Sequence, residues 1–321
     1  MRILVSGNLA NMGYELANAL NQTGIETKLL LPKFPHYTQD PKSMYPELGE
    51  KGYPDWLVRF DNNNRKIGPN NWKFQIIKEM RKKEYDIILA LTEFPIFAIF
   101  SGKPFVIIST GSDMRELVFE NSFKGFLLRL AYRRAKKILW SEPDKLPLLE
   151  KLNITQKSIF LPIPRNSNIF PEDIDKKNLS KKFVIFHPTS QDWRIKHNKE
   201  FILAFDRLCS IRDDIHLIIS DRGYDIDETK RILSSGHAQN KFEIIPPLPS
   251  AKLQYYYNLA DLIVDQFGVG SFGMITIEAM KCAKPVLMKL NEDLAKKCYE
   301  EIPGGIINVS TEDEIFKELD K

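Results

Sequence analysis

The sequence predicts an α/β protein made of two doubly wound parallel-sheet domains. Three observations carry this. Short apolar runs alternate with stretches of helical period along the whole chain, the pattern of strands joined by crossover helices. The length, 321 residues, is more than one core usually organises. A charged stretch rich in proline, asparagine and serine, 161–182 (LPIPRNSNIFPEDIDKKNLSKK), divides the alternation into two halves.

In the first half the strand candidates are 2–6 (RILVS), 26–31 (ETKLLL), 86–91 (DIILAL), 104–109 (PFVIIS) and 137–140 (KILW). Helical periodicity falls at 14–22, 73–83 and 123–136, with 14–22 placing its apolar positions on one face. Residues 33–72, rich in proline and aromatic residues and containing the run DNNNRK at 61–66, read as a long, partly ordered loop. In the second half strands are expected at 183–187, 215–220, 242–245, 262–265, 285–288 and 305–309, with helices at 198–211, 226–234, 250–260 and 274–283. The expected division is a first domain over 1–165, a linker over 166–182 and a second domain over 183–321. Open α/β sheets bind ligands at the carboxyl ends of their strands, so a ligand cleft is expected there.

Composition narrows the function. With 43% hydrophobic and 27% charged residues the chain is neither disordered nor fibrous. Cys209, Cys282 and Cys298 form no CxxC pair, and the five histidines are scattered, so neither a structural zinc site nor an HxxxH site is spelled out. No metal site and no cofactor are expected. No run of 18 apolar residues is present, and the opening MRILVSGNL is too short an apolar stretch for a secretory signal. A cytoplasmic protein is expected. Charge is uneven: residues 1–160 hold 24 Lys and Arg against 17 Asp and Glu, whereas the remainder holds 22 against 25. A basic first half suits an anionic partner or membrane surface. The segment 123–140 (FKGFLLRLAYRRAKKILW) is basic and amphipathic, and reads either as a packed helix with a solvated basic face or as a contact with anionic lipid head groups. No nucleic-acid partner is expected.

The most informative segment is GVGSFGMITIEAMKCAKPVLM, 268–288. A glycine-rich turn follows a strand and opens a helix near Met274. Free N–H groups at a helix start, with the helix dipole, form an anion site. Gly270, Ser271 and Gly273 permit close approach of a phosphate or sugar, and Glu278, one turn further in, can accept from a pair of ribose hydroxyls. Upstream, HPTSQDWRIKHNK (187–199) places cations Arg194, Lys196 and Lys199 after a strand.

These strings resemble the retaining glycosyltransferases of family 4, whose fold is GT-B. There the donor signature reads E-G-F-G-x-x-x-x-E-A-M-A-x-G-x-P-V. The resemblance maps its second glutamate to Glu278, as ribose contact, and its GFG backbone to Ser271, Phe272 and Gly273, with Met274 at the helix start. The first glutamate is replaced by Gly270. YYYNLADLIVDQ (255–266) resembles the helix and strand before the signature, with Asp265 and Gln266 as candidate substitutes for the missing glutamate. FEIIPPLPSAKLQYYY resembles the turn that covers the nucleobase, which implicates Pro247 and Leu248. The diphosphate clamp falls on Lys196 with Thr189 nearby; Ser190 stands where the family has arginine, and Arg194 is the candidate replacement. In the first half the turn GNLANMG lacks G-x-G-x-x-G spacing, and the resemblance brings Gly13 toward the diphosphate. Thr110, Gly111, Ser112 and Asp113 follow a strand and form a candidate acceptor loop, with Asp113 either the proton acceptor or a helix cap. Thr92-Glu93 is a similar edge pair.

The resemblance implies sugar transfer from a nucleotide-sugar to a hydroxyl of a glycan or lipid-linked glycan, with retention and without a metal, the catalytic set being Asp113, Lys196 and Glu278. Alternatives are a nucleotide-sugar epimerase of the same fold and an inactive sugar-nucleotide-binding subunit.

Overall fold

A computed structural model of the chain describes residues 1–321 except 37–38, 67, 69, 163–169, 176–178, 180 and 249. The chain forms two compact units, Met1–Ser141 with Lys145–Asn166, and Glu142–Asp144 with Ser167–Lys321. Of the expected linker, residues 166–169, 176–178 and 180 lie outside the described residues.

The first unit is a seven-stranded sheet: β1 Ile3–Ser6, β2 Thr27–Pro32, β3 Leu57–Phe60, β4 Ile87–Leu91, β5 Phe105–Ile108, β6 Lys137–Trp140 and β7 Ser158–Phe160. The order is β3-β2-β1-β4-β5-β6-β7, and every pairing is parallel. Parallel neighbours need crossovers, supplied by helices such as Met12–Gln22, Trp72–Met80 and Phe123–Arg134. All four residues of β1 are buried because this strand lies mid-sheet between β2 and β4.

Two strands were not legible in the sequence. β3 lies inside 33–72, which is therefore not one long loop: it also holds a 3₁₀ turn Pro41–Ser43 and a helical turn Leu48–Lys51. LVRF is too short and too polar to stand out, but Leu57 pairs opposite Leu29 and fixes it in register. The preceding turn is held by Tyr53, which donates to Asp40 at 2.7 Å while Arg59 stacks 4.0 Å from its ring centre. β7 is three residues at the sheet's far edge.

The second unit is a six-stranded parallel sheet: β8 Phe183–His187, β9 Ile215–Ser220, β10 Phe242–Ile245, β11 Leu262–Val264, β12 Val286–Met288 and β13 Ile306–Asn308, in the order β10-β9-β8-β11-β12-β13. Its strands are apolar at consecutive positions because both faces are covered. In β8, Ile185 faces the helices Lys199–Leu208 and Glu312–Leu319, packing with Phe201, Phe205 and Ile315. Val184 and Phe186 face the opposite side, with Tyr257 and Ala279. The described residues after the unit boundary dock on this second core: Asn258 donates to the Phe170 carbonyl and accepts from the Glu172 amide, and Ile174 packs against the Tyr257 side. Among the described residues no helix is long and apolar enough to cross a membrane.

Candidate active site

In the second unit β8 pairs on one side with β9 and on the other with β11, so the chain direction of winding reverses between β8 and β11. The carboxyl ends of these two strands are bolted together by buried polar side chains. Thr189 donates to one oxygen of Asp265 at 3.0 Å, and Thr276 donates to the other at 2.6 Å. His187 is fully buried; its Nδ1–H donates to the Val264 carbonyl at 2.9 Å, and Nε2 accepts from Asn198 at 3.2 Å. Burial, and then the nearby Arg222 charge, pull its pKa down to about 4, so the ring is neutral and both bonds are satisfied.

The glycine turn is built on this frame. At Gly268 a Cβ would lie 2.1 Å from the Ile195 carbonyl oxygen, so only glycine lets the turn lie against the helical turn Trp193–Lys196. The contact is sealed by the Phe267 amide donating to the Lys196 carbonyl at 2.8 Å. The Lys196 ammonium donates to Gln266 at 2.8 Å, and the Gln266 amide nitrogen donates to the Ser271 carbonyl at 3.3 Å. The helix Met274–Lys281 then starts from Gly273 with no side-chain cap, leaving its first N–H groups to another acceptor. One turn in, Glu278 is only 2% exposed, and one of its oxygens accepts from the Tyr257 hydroxyl at 2.9 Å. Burial, with the Glu278 charge beside it, drives the Tyr257 hydroxyl far above its usual pKa, so it stays a donor.

The structure thus gathers Thr189, Lys196, Gly270, Ser271, Phe272, Gly273, Met274 and Glu278 at one sheet edge. Arg194 is exposed on the Trp193–Lys196 turn, Pro247 is exposed, and Leu248 leans on the core beyond β10. Asp265 and Gln266, candidate sugar contacts, instead brace the loops. The Ser271 hydroxyl donates its proton to Asp144 at 2.5 Å, so it has no proton left to give a ligand. Gly270 takes a left-handed φ of 72°, a conformation that favours glycine over a residue with a Cβ. Gly270→Ala is expected to lower stability by about 1–2 kcal/mol, the cost of that conformation for a residue with a Cβ; an unchanged urea midpoint would contradict it.

Arg222, after β9, went unnoticed in the sequence because nothing around it forms a motif. Its Nη2 donates to the Pro188 carbonyl at 3.0 Å, its Nε is buried without a partner among the described residues, and its charge reaches both His187 and Tyr257.

In the first unit one expectation is corrected. Asp113 is not placed to take a proton. It is 1% exposed, one oxygen accepts from the amides of Thr110 and Gly111 at 3.0 and 2.7 Å, and the other accepts from Tyr132 at 2.7 Å. Nor does it cap the following helix, since it sits inside the turn Ser112–Arg115 and folds back on the Thr110–Gly111 amides. Asp113 shapes the Thr110–Asp113 loop. Gly13 is buried, and a Cβ there would lie 2.1 Å from the Gly7 carbonyl oxygen, so only glycine lets this turn close on itself.

Residues 170–297 match the family model for Glycosyl transferases group 1. The match falls within the second unit. No curated protein matches the chain by sequence. Among solved structures the chain is similar to Anabaena Alr3699/HepE in complex with UDP and glucose, at 15% identity and a TM-score of 0.73 over all of this chain and 89% of that one. It is similar to sucrose-phosphate synthase from Thermosynechococcus elongatus, at 13% identity and a TM-score of 0.72 over the same shares. It is also similar to S. aureus TarM in complex with Fondaparinux, alpha-GlcNAc-glycerol and UDP, at 8% identity and a TM-score of 0.70 over all of this chain and 93% of that one. The chain has the GT-B fold, and the gathered edge lies almost wholly within the residues that the family model matches.

Proposed function

We propose that the chain transfers a sugar from a nucleotide-sugar to a hydroxyl of a glycan, free or lipid-linked, with retention of configuration. The observation that carries this is the Lys196 ammonium, held by Gln266 beside an uncapped helix start, with the buried Glu278 one turn further in. In this reading the diphosphate lies on the Met274 helix start and against Lys196, and Glu278 accepts from the ribose. Arg222, not Arg194, is the second cation, in place of the arginine missing at Ser190. Cations fixed before the reaction can stabilise the leaving diphosphate without a metal. The acceptor hydroxyl attacks from the face the diphosphate leaves. Contact with an anionic membrane fits the helix Phe123–Arg134, where Phe123 is 76% and Phe126 54% exposed beside basic residues, although Arg129 is engaged with the carbonyls of Val118 and Glu120.

The test is incubation with several UDP- and GDP-sugars in EDTA and without acceptor. Slow release of free sugar supports a transferase; an isomerised donor makes the chain an epimerase; binding without either makes it a sensor or subunit. Within this reading Glu278→Gln, which keeps a partner for Tyr257, is expected to weaken donor binding by about tenfold or more in calorimetry. Glu278→Ala should in addition destabilise the fold by about 1–3 kcal/mol, because it orphans the buried Tyr257 hydroxyl. Equal donor affinity in Glu278→Gln and wild type removes Glu278 from the site.

A further inference from the structure

A second concave site lies in the first unit. A cavity of about 570 Å³ opens at the carboxyl ends of β1 to β4, inside the roughly 300–1,000 Å³ range of small-molecule sites. It spans the point where the winding of this sheet reverses, between β1 and β4. Thr92, on its rim after β4, is a β-branched residue held at φ 55°, a strained conformation of the kind that collects at ligand sites.

Its wall is aromatic. Phe60, Trp72, Phe94 and Phe97 form a chain of ring contacts with centroids 5.7–6.4 Å apart. Such faces suit the C–H side of a sugar ring, which is flat and apolar while its rim is hydroxylated. The asparagine amides in the lining are already fixed, Asn8 by Asn11, the Gln39 carbonyl and the Tyr14 amide. Asn62 both donates to and accepts from the Phe34 backbone, and Asn71 caps the helix Trp72–Met80. The lining charges are unequal. Glu93 is answered by Lys124 at 2.6 Å, while Arg65 and Lys73 have no acidic partner among the described residues. Lys73 lies 5.5 Å from the Trp72 ring centre, so a cation flanks the stacking face.

We propose that this cavity binds a saccharide bearing a negative charge, its ring on Trp72 and its acid between Arg65 and Lys73. Its role as acceptor site rests on the transferase reading; the binding itself does not. The shared chemistry is an anionic sugar, and the acid is a carboxylate or a phosphate.

The experiment is calorimetry on the full chain, saturated with UDP so that the second unit is occupied, using cellobiouronic acid, glucose 6-phosphate, neutral cellobiose and inorganic phosphate. Donor binding is measured separately, so failure of the transferase reading shows there and not here. At least one anionic sugar is expected to bind about tenfold or more tightly than cellobiose, the worth of one charge-assisted contact. It should also exceed inorganic phosphate. The uronate and phosphate arms identify the acid. The double variant Arg65→Ala, Lys73→Ala changes only exposed side chains and should erase the preference. Trp72→Phe, which keeps a ring in the cavity wall, should weaken neutral and anionic sugars together. Equal binding of cellobiose and the anionic sugars, no sugar binding, or inorganic phosphate binding as tightly as the sugars would overturn the proposal.

Discussion

Lys196→Ala is expected to slow sugar transfer by about 10²–10³ while leaving affinity for the free nucleoside nearly unchanged. Negative charge grows on the diphosphate as the glycosidic bond breaks, so a cation placed there acts more on the transition state than on the bound donor. The half-buried Lys196 is already oriented, by Gln266 at 2.8 Å, and its turn is locked to the glycine turn at Gly268. Gln266→Ala should therefore reproduce part of the rate loss. Arg222→Ala should slow transfer as well if it is the second cation, whereas the exposed Arg194→Ala should change little. The measurement is single-turnover transfer with saturating donor. Near wild-type turnover in Lys196→Ala would show that the diphosphate lies elsewhere.

Acidification from pH 6.5 toward pH 4 is expected to lower stability by about 3 kcal/mol through His187 alone, from a native pKa of about 4 against an ordinary 6.5. The sign follows from proton uptake. Over this window the unfolded chain binds a proton at this position and the folded chain does not, so the unfolded state gains as pH falls. The contribution is complete above pH 6.5 and stops changing below about pH 4. Carboxylates also titrate there, so the comparison is with His187→Gln. Urea midpoints at pH 7 and pH 4.5 should fall further for wild type than for the variant. Equal falls would mean that the folded protein accommodates a charged His187.

Much of this architecture could be read from the chain before any coordinates. Strands such as Ile215–Ser220 stand out because central strands of a parallel sheet are apolar on both faces, which leaves a continuous run. β3 and β7 escaped for the opposite reason: as edge strands they bury less, and their pairing comes from neighbours rather than from their own residues. At the site, the 268–288 signature and Lys196 were legible because glycines and a cation at fixed spacing leave a local pattern. Arg222 and Tyr257 were not, since each reaches the site from a separate element and only the sheet order brings those elements together. Asp113 illustrates a different limit. An aspartate at a strand end looks the same in sequence whether it faces a substrate or the amides of its own loop, and only the positions of Thr110, Gly111 and Tyr132 decide.

The bond between Thr189 and Asp265 joins residues 76 positions apart. It bears on the order in which the protein matures. A nascent chain that has just made β8 and β9 can pair them, since only the helical turn Trp193–Lys196 and the helix Lys199–Leu208 intervene. β8 must then wait, with its other edge open, until β11 is synthesised. Long-range parallel pairing is slow because the intervening chain must be ordered before the contact forms. The edge that gathers Lys196, Gln266 and Glu278 is therefore among the last parts of the second unit to form, and a chain halted before residue 262 would present β8 as an unpaired apolar edge.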